Sequence, residues 1–197
     1  MKIAKIVSSN SHIDYIGRVI DATDEGEAAP PPDEYSFGQF VAIESDAEHA
    51  IGAIYDSRLV NPEYGSFAPR SGPRAELARH NADYAREQGI LIGILLLGTL
   101  DTSGKSFHGV PRKIVPVGNA VKTLDERGFT KFHTDDSGLL NLHYYPQVVS
   151  NARQFAVPLL DTIIARLCNG CSESDRQSLV VLKQSLSWSE TFGGMRL

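Results

Sequence analysis

The run Ile90-Leu91-Ile92-Gly93-Ile94-Leu95-Leu96-Leu97 restricts the fold more than any other stretch of this chain. It is far shorter than the ~20 apolar residues that a membrane-spanning helix needs. Extended to Leu100 it is almost unbroken, which is the pattern of a strand covered on both faces and therefore central in its sheet. The rest of the fold has to supply two covering layers.

Other short β-prone segments, each broken by glycine, supply one of them. Lys2 to Ser8 carries Ile3, Ile6 and Val7, and Tyr15-Ile16-Gly17-Arg18-Val19-Ile20 follows. Phe37-Gly38-Gln39-Phe40-Val41-Ala42-Ile43-Glu44 and Ile51-Gly52-Ala53-Ile54-Tyr55-Asp56 flank a polar segment and form a hairpin. Gly17, Gly38 and Gly52 sit near strand starts, where small barrels bend or bulge to close. Between the second and third segments, Asp21 to Glu34 holds six acidic residues and the run Pro30-Pro31-Pro32, the composition of a solvated loop. A helix is expected over Arg74 to Gln88, with Pro73 at its first turn, Leu77, Tyr84 and Ala85 along one face together with Ala78 or Asn81, and Gly89 as its stop. After the central strand, Asp101-Thr102-Ser103-Gly104-Lys105 makes a turn. Ile114-Val115-Pro116-Val117 is the expected return strand, held to an edge by Pro111 and Pro116 and ended by Gly118-Asn119.

Thr123 to Tyr145 has no firm assignment, with β-prone pieces around Phe129 to His133 and Leu139 to Tyr145. Beyond it, Phe155, Leu159, Leu160, Ile163, Ile164 and Leu167 make an apolar stripe on a helix from Asn151 to Cys168. A second helix is expected from a capping box of Ser174 with Gln177, carrying Leu179, Val180, Leu182 and Leu186. The fold class is thus mainly β: a small closed β-barrel with one inserted helix in residues 1–125, then a mixed segment, 126–197, ending in a helical hairpin.

Charge narrows the partners. Residues 1–120 hold 11 Lys+Arg against 16 Asp+Glu, and residues 121–197 hold 8 of each, so neither part has the basic excess that counterion release rewards on a nucleic acid. Direct nucleic-acid binding is not expected. Two cysteines cannot frame a disulfide scaffold, and Met1-Lys2-Ile3-Ala4-Lys5-Ile6-Val7 lacks the apolar block of a signal peptide, which places the chain in the cytoplasm with no membrane span.

Three groups carry chemistry on paper. Gly98-Thr99-Leu100-Asp101-Thr102-Ser103-Gly104-Lys105-Ser106 follows an apolar strand, as a phosphate-binding loop does, and makes Gly104, Lys105 and Ser106 candidate nucleotide contacts. Five residues separate its glycines where such a loop needs four, and Gly109 and Pro111 oppose the helix that must follow. It reads as a hairpin turn with an exposed Lys105. Cys168-Asn169-Gly170-Cys171 makes Cys168 and Cys171 candidate metal ligands, but a structural zinc site needs four ligands and a redox pair normally precedes a helix. Here Cys168 extends the Leu160-Ile164 row and reads as a buried apolar cysteine. The histidines, His12, His49, His80, His108, His133 and His143, show no ligand spacing; His133-Thr134-Asp135-Asp136 is an acid-base candidate that a polar turn explains as well. Lys105, His108, Arg112 and Lys113 form a local basic group within a net negative region.

The strands Ile16-Gly17-Arg18-Val19, Gly38-Gln39-Phe40-Val41-Ala42-Ile43-Glu44 and Ile51-Gly52-Ala53-Ile54 resemble those of the HAS-barrel, the small barrel at the N-terminus of HerA-type DNA-translocating ATPases, similar in shape to the N-terminal barrel of ATP synthase subunits. Leu97-Gly98 followed by Pro111, Pro116, Gly118, Val121 and Leu124 resembles the exit from such a barrel. The resemblance covers about the first 125 residues. It implies ring assembly and docking of a partner, either further copies of this chain or a partner ATPase. Where those ATPases continue into a nucleotide-binding domain, this sequence has about 70 further residues and no complete phosphate-binding loop, so ATP-driven translocation does not carry over. The expectation is a non-catalytic binding or assembly module without a cofactor; the alternatives are a nucleotide-binding protein or enzyme using Gly98 to Ser106, and a metal-binding module using Cys168 and Cys171.

Overall fold

A computed structural model describes residues 1–21, 28–44, 48–60, 89–135, 137–170 and 173–193. The strands are β1 (Lys2–Ser9), β2 (Asp14–Val19), β3 (Phe40–Ile43), β4 (Glu48–Val60), β5 (Gly89–Asp101), β6 (Ser106–His108) and β7 (Ala120–Thr123). Among the described residues four α-helices follow: α1 (Glu126–Phe132), α2 (Tyr145–Asn151), α3 (Ala156–Cys168) and α4 (Glu173–Gly193). The helix expected over Arg74 to Gln88 lies outside the described residues.

Neighbouring strands run β1, β7, β3, β4, β5, β2 and back to β1, every pair antiparallel, so six strands close into a barrel. The seventh, β6, lies outside it. β5 is the spine. One edge pairs with β4 from Gly89 to Asp101, while the other pairs with β2 over Leu91–Leu95 and then with β6 over Gly98–Leu100. Along β5, Ile92, Ile94, Leu95, Leu96 and Leu97 are all fully buried. That is why the run is apolar at successive positions: one face fills the barrel and the other lies under helices, α2 reaching it through Gln147, whose Nε2 donates to the Leu96 carbonyl.

Closure needs a bulge, and the register of β4 on β5 shifts between Ile51 and Gly52. A Cβ at Gly52 would lie 2.8 Å from both the Leu95 carbonyl oxygen and Ile94 Cγ2, so only glycine fits. Among the described residues of the acidic loop, Pro32–Tyr35 forms a short 3-10 turn, and Glu34 accepts a hydrogen bond from the Thr123 hydroxyl at 2.7 Å.

Several local expectations change. The return strand is not Ile114–Val117 but the shorter β6; with Pro111 and Pro116 lacking donors, the later segment is held instead by the Val115 N–H donating to the Tyr15 hydroxyl at 3.0 Å. Gly118–Asn119 therefore precedes a strand, β7, and does not end one. The β-prone piece at Phe129 to His133 falls on helix α1, because the Asp125 carboxylate caps it by accepting the Gly128 N–H at 2.7 Å and Phe129, Phe132 and His133 share its inner face. Leu139 to Tyr145 contributes one bridge, Leu140 to Thr134, before α2 begins. The helix expected over Asn151 to Cys168 begins only at Ala156, as α3, because α2 ends at Asn151 and Arg153 with φ 51° cannot continue an α-helix. α4 is already helical at Glu173, so Ser174 lies in its first turn and is not its cap; Leu179 is buried, whereas Val180 and Val181 face outward.

The barrel and the helices share one apolar core, from Ile3 and Tyr15 through Phe40 and Leu97 to Leu160, Ile164 and Leu179.

Candidate binding site

Among the candidate groups, the Gly98–Ser106 loop has the clearest geometry. β5 runs through Gly98 to Asp101, a tight turn follows, and β6 begins at Ser106 where a phosphate-binding loop would start a helix. The Asp101 N–H donates to the Lys105 carbonyl at 3.0 Å. The Asp101 carboxylate accepts from the Ser103 hydroxyl at 2.6 Å and from the Lys105 N–H at 2.8 Å. These bonds, led by that from Ser103, hold the Asp101 carboxyl below its usual range. Gly104 turns the corner at φ +90° and Lys105 is exposed. The Gly104 and Lys105 amides, which would cradle phosphates, thus serve a hairpin. Gly98 serves the strand pairing, because a Cβ there would stand 2.0 Å from the Phe107 carbonyl oxygen and its lack of a side chain is what lets β6 dock.

The histidines that look scattered in sequence are partly gathered. Phe40 from β3 meets Phe129 edge-on at 5.0 Å and His133 at 5.1 Å, and His108 from β6 stands 4.4 Å from Phe132 and 5.0 Å from Tyr144. His143 joins at 6.4 Å from His108. His12 and His49 lie elsewhere, and His80 is outside the described residues.

His133 is 1% exposed. Its Nδ1 lies 2.8 Å from the Phe129 carbonyl, which can only accept, so Nδ1 carries the proton and Nε2 accepts from the Tyr144 hydroxyl at 2.7 Å. Burial pushes its pKa down to about 3 and pushes Tyr144 well above the ordinary tyrosine value. His108 is also pushed down, mainly by burial, and its Nε2 donates to the Phe132 carbonyl at 2.7 Å. The nearby Asp135 does not touch His133: its carboxylate accepts from the Ser137 and Leu139 amides. The acid-base pairing suggested by His133-Thr134-Asp135-Asp136 is therefore not formed by His133 and Asp135; Asp136 is outside the described residues. A neutral imidazole, hydrogen-bonded at both nitrogens and packed among aromatic rings, is a packing element.

Beside this knot a groove of about 510 Å³ opens between α1 and the end of α3, lined by Glu126, Phe129, Thr130, His133 and Arg166 among others. Arg166 lies 3.9 Å above the Phe129 ring and also donates to the Glu126 carboxylate. Thr130 and Thr134 turn their hydroxyls back onto helix carbonyls. This wall clamps α1 to α3. Cys168 packs half-buried against the core at the end of α3, and Cys171 is outside the described residues. Among the described residues no group of three or more His, Cys, Asp and Glu is placed to hold a metal ion.

Of the exposed large apolar side chains among the described residues, four fall on β6 and the loop behind it. Phe107 is 55% exposed, Val110 51%, Ile114 68% and Val117 73%. Ile114 also edges an open groove of about 530 Å³ with Glu44, His49, Lys113 and Asn119. There Glu44 is paired with Lys122, whose hydrogen bond holds the carboxyl below its usual range. The basic group Lys105, His108, Arg112 and Lys113 stands out in the sequence and this apolar row does not, although Phe107, Val110, Ile114 and Val117 recur at three- and four-residue steps through a stretch too rich in glycine and proline to be a helix. No described helix is long and apolar enough to cross a membrane.

Fold and surface together define a small closed antiparallel barrel, sealed by helices and packed with side chains, that carries an apolar, partly basic outer strand and loop. A family model described as a domain of unknown function, DUF8166, matches residues 1–196, and the chain belongs to that family. No curated protein matches the chain.

Proposed function

We propose that this protein is a non-catalytic binding or assembly module of the cytoplasm, an adaptor or oligomerisation unit for an ATP-driven, HerA-like DNA-processing machine. The observation that carries the reading is the row Phe107, Val110, Ile114 and Val117: four large apolar side chains, each more than half exposed, on one continuous segment. Scattered exposed apolar residues are ordinary, but a concentration of them costs solubility unless a partner covers it. The barrel supports the reading because its interior is filled by residues such as Ile51, Ile94 and Val121, which directs binding to its outer surface. The machine itself is suggested by the likeness of the strand motifs to HAS-barrels.

Light scattering of the purified chain, alone and after mixing with a lysate of its source cells, tests this. The expected result is an oligomer or a defined complex that the double variant Ile114→Asp, Val117→Asp loses while keeping its melting temperature. A wild-type monomer that captures nothing beyond what that variant captures would overturn the reading.

A further inference from the structure

We propose that the outer edge of β6 is a docking site for an extended acidic peptide, which adds to the sheet as a further strand; this rests on the binding-module reading and names its ligand. The argument begins with backbone register. β6 pairs with β5 as Gly98 with His108, Thr99 with Phe107 and Leu100 with Ser106. The bonds that flank this ladder run from the Asp101 N–H to the Lys105 carbonyl and from the Gly109 N–H to the Leu97 carbonyl. In an antiparallel pair the bonded positions alternate, so residues 105, 107 and 109 face β5. The N–H and C=O groups of Ser106 and His108 then point away from it, and among the described residues no backbone or side-chain group bonds to them. Two outward residues spaced by two are what an incoming strand pairs with, and strand edges of this kind recognise peptide backbone.

Side chains state the chemistry of the visitor. Phe107, between the two outward residues, and Val110, just beyond them, are more than half exposed and offer apolar contact. Beside them stand Lys105, next to Ser106 in the chain, and Lys131, both exposed, the latter with its Nζ beside Gly104. Among the described residues neither of these two lysines makes an ion pair. The carboxylate at this end, Asp101, is occupied by Ser103 and the Lys105 amide. A chain with net charge −5 thus sets two lysines beside this strand edge. An extended peptide alternating carboxylates with β-branched residues complements that edge in hydrogen bonding, hydrophobicity and charge. A nucleic acid would satisfy the cations but not the strand edge.

The test is fluorescence anisotropy of the full chain with a fluorescein-labelled nonapeptide in which glutamate alternates with valine. Saturable, salt-sensitive binding is expected, with the lysine-for-glutamate peptide weaker by about tenfold or more. Ser106→Pro removes an outward N–H and leaves the β5 ladder intact, so it should weaken binding about tenfold. Lys105→Glu with Lys131→Glu, both exposed, should weaken it comparably without altering the melting temperature, which covers the case of a poorly folded proline variant. Absence of binding, equal binding of both peptides, or a single-stranded DNA 20-mer displacing the peptide and binding more tightly would overturn the proposal. So would a wild-type dimer that Ser106→Pro converts to a monomer, which would assign the edge to a second copy of the chain. Assembly lost in Ile114→Asp, Val117→Asp but kept in Ser106→Pro, with peptide binding equal in wild type and Ser106→Pro, overturns the edge proposal and leaves the assembly reading standing.

Discussion

Acid should loosen this fold through one imidazole well before the carboxylates titrate. His133 binds its proton with a pKa near the ordinary 6.5 when unfolded and about 3 when folded, because burial, with smaller contributions from His108 and Arg166, disfavours the cation. The unfolded chain therefore holds more protons than the native one between these values, and stability falls as pH drops below about 6.5. At pH 7 almost none of the effect is felt. At pH 5 the linkage amounts to about 2 kcal/mol, and each further unit of acidity adds roughly 1.4 kcal/mol until the native imidazole protonates. His108, also pushed down, acts in the same direction. Glu44 and Asp101 are held below their ordinary values and lose their contribution at lower pH still, so the interval from 7 to 5 belongs mainly to the imidazoles. The assay is urea denaturation at pH 7 and pH 5 for the wild type and His133→Gln. The variant loses stability at both values, since glutamine cannot replace the ring against Phe40 and Phe129, but its loss between them should be smaller by about 2 kcal/mol. An equal decline in the two proteins would refute the reasoning that His133 is buried neutral.

Gly98→Val should cost more than about 2 kcal/mol and expose Ser106–Gly109 to proteolysis, because its Cβ meets the Phe107 carbonyl at 2.0 Å, whereas Gly170→Ala, with nothing within 4 Å, should leave the melting temperature nearly unchanged. Asp125→Ala should cost about 1 kcal/mol by uncapping α1, and Asp125→Asn should restore most of it in the same denaturation assay.

The barrel was legible because its strands advertise themselves: Ile90 to Leu100 is an almost unbroken apolar run, and Gly52 marks the bulge that lets β4 wrap around it. What misled was local preference opposed by a cap or a tertiary bond. Phe129, Thr130 and Phe132 favour strands, yet the Asp125 cap and the i, i+3, i+4 spacing of Phe129, Phe132 and His133 make a helix, and that spacing was visible. Ile114 to Val117 is strand-like in composition, but a single bond from Val115 to Tyr15, a hundred positions away, decides its course and leaves no trace in the local pattern. The union of His108, His133 and Tyr144 was equally hidden, being a product of the His108 ring on β6 meeting Phe132 at the end of α1. The basic group at Lys105 to Lys113 was plain in the residues; the open edge beside it required register, which sequence does not supply.

β5 changes neighbours halfway along, from β2 to β6, and β1 waits for β7 on its second side. For a polypeptide emerging from the ribosome this ordering matters, since the first hairpin is made early but its last wall strand only at Ala120–Thr123. Until then the cylinder is a gutter with Ile3, Ile6 and Tyr15 open to water. Closure of the cylinder thus waits on β7, more than a hundred residues after β1, and the helices that cover it come later still.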